Sequence, residues 1–265
     1  MSSILQRYTH VALFLFFEII ALVLVVNFNQ KQKDIFLHST SIFSGSILKK
    51  SAQLGDYLSL QQSNNDLLAE NARLLTEIIN MPRDPIPLAD SNRLSFEVIP
   101  THVISNSLGS QRNRLLVDRG RKDGIISASG ATTEEGVVGI VHNVNEHFST
   151  IMSLLNVDIR ISASVEGADF FGTITWDGNT YDRLDMTGIP THAQVDIGDE
   201  VITNGYSTIF PKGLKIGSVE SVQVSNDGAF YEISVKPMVD FAQLNHVYIL
   251  QGNFAEEVSS LAENE

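Results

Sequence analysis

The residues best able to do covalent chemistry are a serine, two histidines and a few carboxylates, and none stands in the pattern its chemistry requires. Ser207 lies in Asn204-Gly205-Tyr206-Ser207-Thr208. An acyl-transfer serine needs a base and a group that orients the base. The segment lacks the G-x-S-x-G form of a nucleophile elbow and reads better as a turn. His142 follows the strand-like Gly136–Val141, and His192 precedes an acidic turn. Either imidazole has the right chemistry for a general base, but a surface place fits each better. Asp196, Asp199 and Glu200 gather around Gly198, a spacing that suits a tight turn before a calcium loop. Gly136–Gly139 reads GVVG, too few glycines for a dinucleotide loop, with no helix after it. No H-E-x-x-H, EF-hand loop or P-loop occurs. The absence of cysteine excludes disulfides, thiolate catalysis and cysteine-ligated metals. The expectation is a chain that is not an enzyme and needs no cofactor or metal.

Composition narrows the partners. The chain has 265 residues, 18% of them charged, with a formal net charge of −13. It shows no strongly basic patch, so nucleic acid is not an expected partner. The acidic body is also poorly suited to an anionic lipid surface.

Most of the second half alternates with period two. In Ile159–Val165, Ile159, Ile161, Ala163 and Val165 share one face, and Tyr231, Ile233 and Val235 repeat the scheme. Further candidate strands are Phe96–Val103, Leu115–Asp118, Gly136–Val144, Thr150–Leu155, Phe171–Trp176, Glu200–Asn204, Lys215–Val224 and Val247–Leu250. Turn dipeptides separate them at Asp123-Gly124, Asp177-Gly178, Asn204-Gly205 and Asp227-Gly228. Many short strands without long helices between them predict a mainly β fold of two small barrels. The boundary is placed near Gly167–Gly172, with Val247–Leu250 able to return to the first barrel. Gly136, Gly139, Gly198, Gly205, Gly213 and Gly217 are expected to shape turns and close approaches. An exposed strand edge is a candidate contact for a partner.

Ahead of the strands lies a heptad helix. Tyr57, Asn64, Asn71 and Ile78 repeat every seven residues, and Leu60, Leu67, Leu74 and Met81 form the partner series. The two series alternate by three and four, as the a and d positions of a coiled coil require. A buried a-position asparagine fixes register at some cost in stability. Leu68 and Leu75, at e, widen the apolar face. They are free to pack against the chain's own β region or against another protein. Two readings stay open: a parallel dimeric coiled coil, and an amphipathic helix lying on its own β domain. Pro82, Pro85 and Pro87 end the helix and begin an extended linker.

The N-terminal segment is apolar from Val11 to Val26, and Tyr8–Phe28 is long enough to span about 30 Å as a helix. Glu18 interrupts it near the middle, where a charge is costly, and contact with a partner helix would make that position economical. Asn27-Phe28-Asn29-Gln30 replaces the small residues of a cleavage site, so a retained anchor is favoured over a signal peptide. Arg7 flanks one side, and Lys31 and Lys33 the other. The short head and long, cysteine-free remainder fit an N-terminus held inside.

With these segments in order, the chain resembles the rod-shape-determining protein MreC family. The resemblance is carried by NRLLVDRGRKDGI (Asn113–Ile125), EGVVGIVHNVNEHFSTIMSLLN (Glu135–Asn156), FFGTITWDG (Phe170–Gly178) and VDIGDEVITNGYSTIFPKGLKIGSV (Val195–Val219). LLAENARLL (Leu67–Leu75) is similar to the family's coiled-coil stretch. The resemblance covers about nine-tenths of the chain. This chain has Asn204 where many relatives carry serine, another turn former. The resemblance implies a non-enzymatic, single-pass protein of the bacterial inner membrane, dimeric, with its bulk in the periplasm. It implies membership of the elongation machinery, with MreB, MreD, RodA and the elongation-specific penicillin-binding transpeptidase as partners.

The expected plan is therefore a cytoplasmic head at 1–7, a transmembrane helix at 8–28 and a periplasmic helix at 29–81 with its coiled-coil core at 57–81. A linker follows at 82–94, then barrels at 95–170 and 171–252, and an acidic tail at 253–265. The function this supports is a scaffold that organises and activates peptidoglycan synthases. A secretion or efflux adaptor is an alternative, though it would want a helical hairpin. A membrane-anchored hydrolase is a further one.

Overall fold

The computed structural model describes residues 2–28, 59–81, 95–168 and 170–253. Tyr57, the stretch 29–58, the expected linker at 82–94 and the tail beyond Asn253 lie outside the described residues. The chain divides into two units, Met1–Asn65 and Asp66–Glu265.

The first unit contains α1, Ser2–Phe28, a helix of 27 residues. Its run of Val, Leu, Ile, Phe and Ala carries no proline or glycine to break it. Side chains are described at 10–21, 23 and 24, and all are exposed, Glu18 among them. Among the described residues, no helix is long and apolar enough to cross a membrane.

Helix α2 runs over 59–80 and ends at Met81, just before Pro82. Its second half is rich in Leu, Ala, Glu and Arg, all good helix formers. Arg73 bridges Glu70, three residues before it, at 2.7 Å, and also pairs with Glu77 four residues on.

The strands close into two antiparallel barrels. The first has the order β1-β12-β3-β4-β5-β2. Its strands are β1 (Phe96–Asn106), β2 (Arg112–Val117), β3 (Gly130–Thr132), β4 (Val137–Val144), β5 (Ser149–Asn156) and β12 (His246–Gly252). The second, β10-β11-β8-β7-β6-β9, uses β6 (Ile161–Val165), β7 (Phe171–Thr175), β8 (Leu184–Pro190), β9 (Glu200–Thr203), β10 (Lys215–Val224) and β11 (Phe230–Pro237). Closure leaves neither sheet a free edge, so among the described residues the exposed edge expected as a partner contact is absent.

The expected cut between barrels is corrected at β6, and the return left open for Val247–Leu250 is the one β12 makes. β6 lies before the proposed boundary yet belongs to the second barrel. β12 lies after it and returns to the first, pairing with β1 from Phe96↔Gly252 to His102↔His246. The second barrel is thus inserted between β5 and β12. β12 is drawn back because it is apolar on both faces: Val247, Tyr248, Ile249 and Leu250 are all buried. Two strands carried no readable period. β3 has only three residues. β8 is interrupted by Gly188, at φ +90°, and by a register shift against β11.

The barrels meet through close backbone approaches. A Cβ on Gly136 would sit 2.5 Å from the Lys215 carbonyl oxygen, and one on Gly130 2.6 Å from the Phe210 ring. Gly139 and Gly217 face carbonyl oxygens across their own sheets in the same manner. Gly198, Gly205 and Gly213 instead occupy turns with positive φ. At Gly205, φ +76°, an added Cβ would also lie 2.8 Å from the Lys212 Cβ. One contiguous apolar cluster runs through both barrels and takes in Leu68 and Ala72 of α2.

Candidate functional site

The surface with the clearest capacity to recognise something is α2, whose apolar side chains have two separate fates. Leu68 and Ala72 are 7% and 3% exposed against the first barrel, and Leu75 and Ile79 pack beside them. These residues recur at i, i+4, i+7 and i+11, one face of a helix. Leu60, Leu67, Leu74, Ile78 and Met81 remain exposed, Leu67 by 64%. At about 100° per residue, the two stripes lie roughly a quarter to a third of a turn apart. Leu68 and Leu75, candidates for partner contact, are therefore taken by the chain's own barrel. The a/d stripe is left open.

Polar contacts flank the buried stripe. The Asn80 side chain donates to the Phe96 carbonyl at 2.8 Å and accepts from the Phe96 N–H at 2.9 Å. It completes the start of β1 as a neighbouring strand would. On the other flank, Asn71 Nδ2 donates to Glu134 Oε1 at 3.4 Å. Asn71, expected in the seam as a second a-position asparagine, thus faces its own barrel. Glu134 accepts from the Tyr248 hydroxyl at 2.7 Å and lies 3.2 Å from His246 Nε2. Burial alone would raise the Glu134 pKa. The hydrogen bonds from Tyr248, its own backbone N–H and His246 outweigh that and hold it below the usual carboxylate range. Burial first, and then donation to Glu134, push the Tyr248 phenol well above its ordinary value.

Glu134, Asn80, His246 and Tyr248 had not been singled out in the sequence. Their partners lie 16 to 114 residues away, and no local pattern announces such a contact.

The groups with catalytic chemistry are engaged locally. Ser207 Oγ accepts from the Ile209 N–H at 3.0 Å, closing a turn. The Asp199 carboxylate accepts from the Asp196 N–H at 2.8 Å, and Glu200 pairs with Lys215 at 2.6 Å. His142 is exposed on β4. His192 stands edge-on to Phe170 with centroids 4.9 Å apart. Among the described residues, no group of three or more His, Cys, Asp or Glu is placed to hold a metal ion.

Residues 103–251, spanning both barrels, match the family model described as the rod shape-determining protein MreC, barrel core. The chain belongs to the MreC family. Over 235 residues it is 26% identical to the cell shape-determining protein MreC of Listeria monocytogenes, covering 86% of this chain and 78% of that relative. It is 25% identical over 183 residues to the Escherichia coli protein of the same name, covering 69% of this chain. That match spans 47% of the E. coli protein, less than half its length. Among solved structures, MreC of L. monocytogenes is similar with a TM-score of 0.55 and 28% identity, over 75% of this chain and 91% of that one. Pseudomonas aeruginosa MreC shares the fold, with a TM-score of 0.53 at 20% identity, over 57% of this chain and 97% of that one. The mainly β, double-barrel architecture read from the strands is the family's.

Proposed function

We propose that this chain is a non-catalytic scaffold of the cell-wall elongation machinery, anchored in the bacterial inner membrane with its bulk in the periplasm. It self-associates through the open stripe of α2 and holds peptidoglycan synthases in an active arrangement. The observation that carries this reading is the division of α2. The Leu68–Ile79 stripe is satisfied by the chain's own barrel, yet a second, heptad-spaced stripe stays exposed. A heptad stripe of leucines around Asn64 suits a second copy of the same helix. Relatives named for determining cell shape support the setting.

Anchoring is supported by the Val11–Val26 run and the exposed apolar side chains of α1. Glu18 on that helix is then a candidate contact for a membrane partner. The partners that follow from the family are the elongation-specific transpeptidase, RodA and MreD, with MreB reached directly or through MreD.

The test is reconstituted peptidoglycan synthesis by the transpeptidase and RodA, with and without the full-length chain in the same vesicles. Faster synthesis or a longer-lived complex is expected; no change in either rejects activation. Ser207→Ala should leave that effect intact. Mass spectrometry of membrane-extracted protein should find residues before Asn27, and consistent loss of that segment would remove the anchor. Protease protection in spheroplasts should place the barrels outside the cytoplasm.

A further inference from the structure

We infer that Asn71 and Asn80 act as a pair of rotational stops that fix the phase of α2 on the first barrel, and so determine which helix face meets a second copy. The inference rests on the self-association reading above.

A helix held only by an apolar stripe is free to roll, because hydrophobic contact is non-directional. Hydrogen bonds are directional and weaken steeply as their angles open. The placement of the two asparagines turns that difference into a lock. At about 100° per residue, Asn71 lies roughly 100° to one side of Ala72 and Asn80 roughly 80° to the other. Ala72, 3% exposed, marks the buried stripe that they bracket. A roll in one direction pulls Asn80 from the Phe96 N–H and carbonyl. A roll in the other pulls Asn71 from Glu134. Each barrel partner is itself held in place. Phe96 begins β1 in its pairing with β12, and Glu134 accepts from the hydroxyl of the fully buried Tyr248. The stops are also separated by nine residues, about 13 Å along the helix axis, which resists tilting as well as rolling.

The consequence reaches the open face. Leu67 and Leu74 are directed by the same rotation that seats Leu68 and Leu75. On the far flank of the open stripe stand Glu70 and Glu77, paired in cis with Arg73. A rolled helix would bring those carboxylates toward the seam, where like charges from two copies repel. Asn71 and Asn80 are thus positioning residues: they touch no second copy, yet they choose the face presented to it.

The chain has no native cysteine, so single cysteines report phase directly. Full-length protein in phospholipid nanodiscs carries either Leu74→Cys, on the stripe, or Glu70→Cys, on its flank. The ratio of disulfide-linked dimer at the two positions is read under mild oxidation. The expected ratio in the otherwise unaltered protein favours Leu74→Cys several-fold. Adding Asn71→Ala and Asn80→Ala together should bring the ratio close to one. Asn71→Ala alone, which leaves the Asn80 ties intact, should move it part-way and guards against a double variant that fails to fold. A sharp ratio that neither set of alanines changes overturns the rotational stops while leaving the dimer standing. No linkage at Leu74→Cys in the unaltered protein overturns the dimer, and the stops with it.

Discussion

Leu67 and Leu68 are neighbours in sequence and opposites in structure. Leu67 is 64% exposed, whereas Leu68 is 7% exposed beneath the first barrel. Leu74 and Leu75 repeat the contrast one heptad later, exposed and half-buried in turn. Both stripes carry the spacing of an amphipathic helix face, and leucine is the commonest residue in each. Spacing therefore reports that a face will be covered and does not say by what. The side chains beside each stripe carry that information. The buried stripe is flanked by asparagines that find barrel groups, while the open one is flanked by two carboxylates that share Arg73.

The sharpest way to break this contrast is to place the same charge on each stripe. Leu68→Asp should lower folding stability by about 3 kcal/mol or more, from lost burial of about 1.5–3 kcal/mol and the cost of a carboxylate without a partner. Leu67→Asp should change the stability of the monomer by no more than about 0.5 kcal/mol, as exposed substitutions do, while abolishing self-association. Denaturant unfolding at low concentration measures the first effect, and sedimentation in detergent the second. Equal loss of stability in the two variants would show that the stripes are not distinct.

Asn80 sharpens the contrast at a smaller scale. Asn80→Ala strips the hydrogen-bond partner from both backbone groups of Phe96, so a loss of about 1–3 kcal/mol is expected. Asn64→Ala, on the open stripe and exposed, should leave monomer stability near that of the parent. Amide exchange at Phe96 is the direct reading: it should accelerate in Asn80→Ala alone. An unchanged rate would mean that the amide is protected without the side chain.

Much of this is legible in the amino-acid sequence. The β character, the family's double barrel and most strands followed from period-two runs and Gly-containing turns. What escaped has a common physical cause. β12 is buried on both faces, so its four-residue apolar run does not say which sheet it joins. β8 loses its alternation at Gly188 and at the register shift beside it. Glu134 lies in the Thr133–Gly136 turn, where a carboxylate is unremarkable until β12 brings Tyr248 and His246 to it. The heptads located α2 correctly but assigned Asn71 to the seam, because a helical wheel cannot show a hydrogen-bond acceptor 63 residues away.

The smallest expected effect tests that acceptor. The Glu134 carboxylate is held below its ordinary pKa when the chain is folded. A carboxylate with a depressed folded pKa contributes stability that is present above its unfolded value, about 4.3, and lost as pH falls through the folded value. Its side chain is 44% exposed, so solvent screening keeps the contribution below about 1 kcal/mol. Glu134→Gln keeps an oxygen for Tyr248 but removes the charge. Asp177, Asp227 and Glu70 are also held low, yet they are common to both proteins and cancel in the difference. The parent should therefore melt slightly higher than Glu134→Gln at pH 7, and the gap should close below about pH 4. Thermal melts of the two proteins at matched ionic strength from pH 7 to pH 3 measure it. A gap that stays constant across that range would show that the charge on Glu134 contributes nothing to the docking of α2, leaving the neutral hydrogen bonds to hold that flank of the helix.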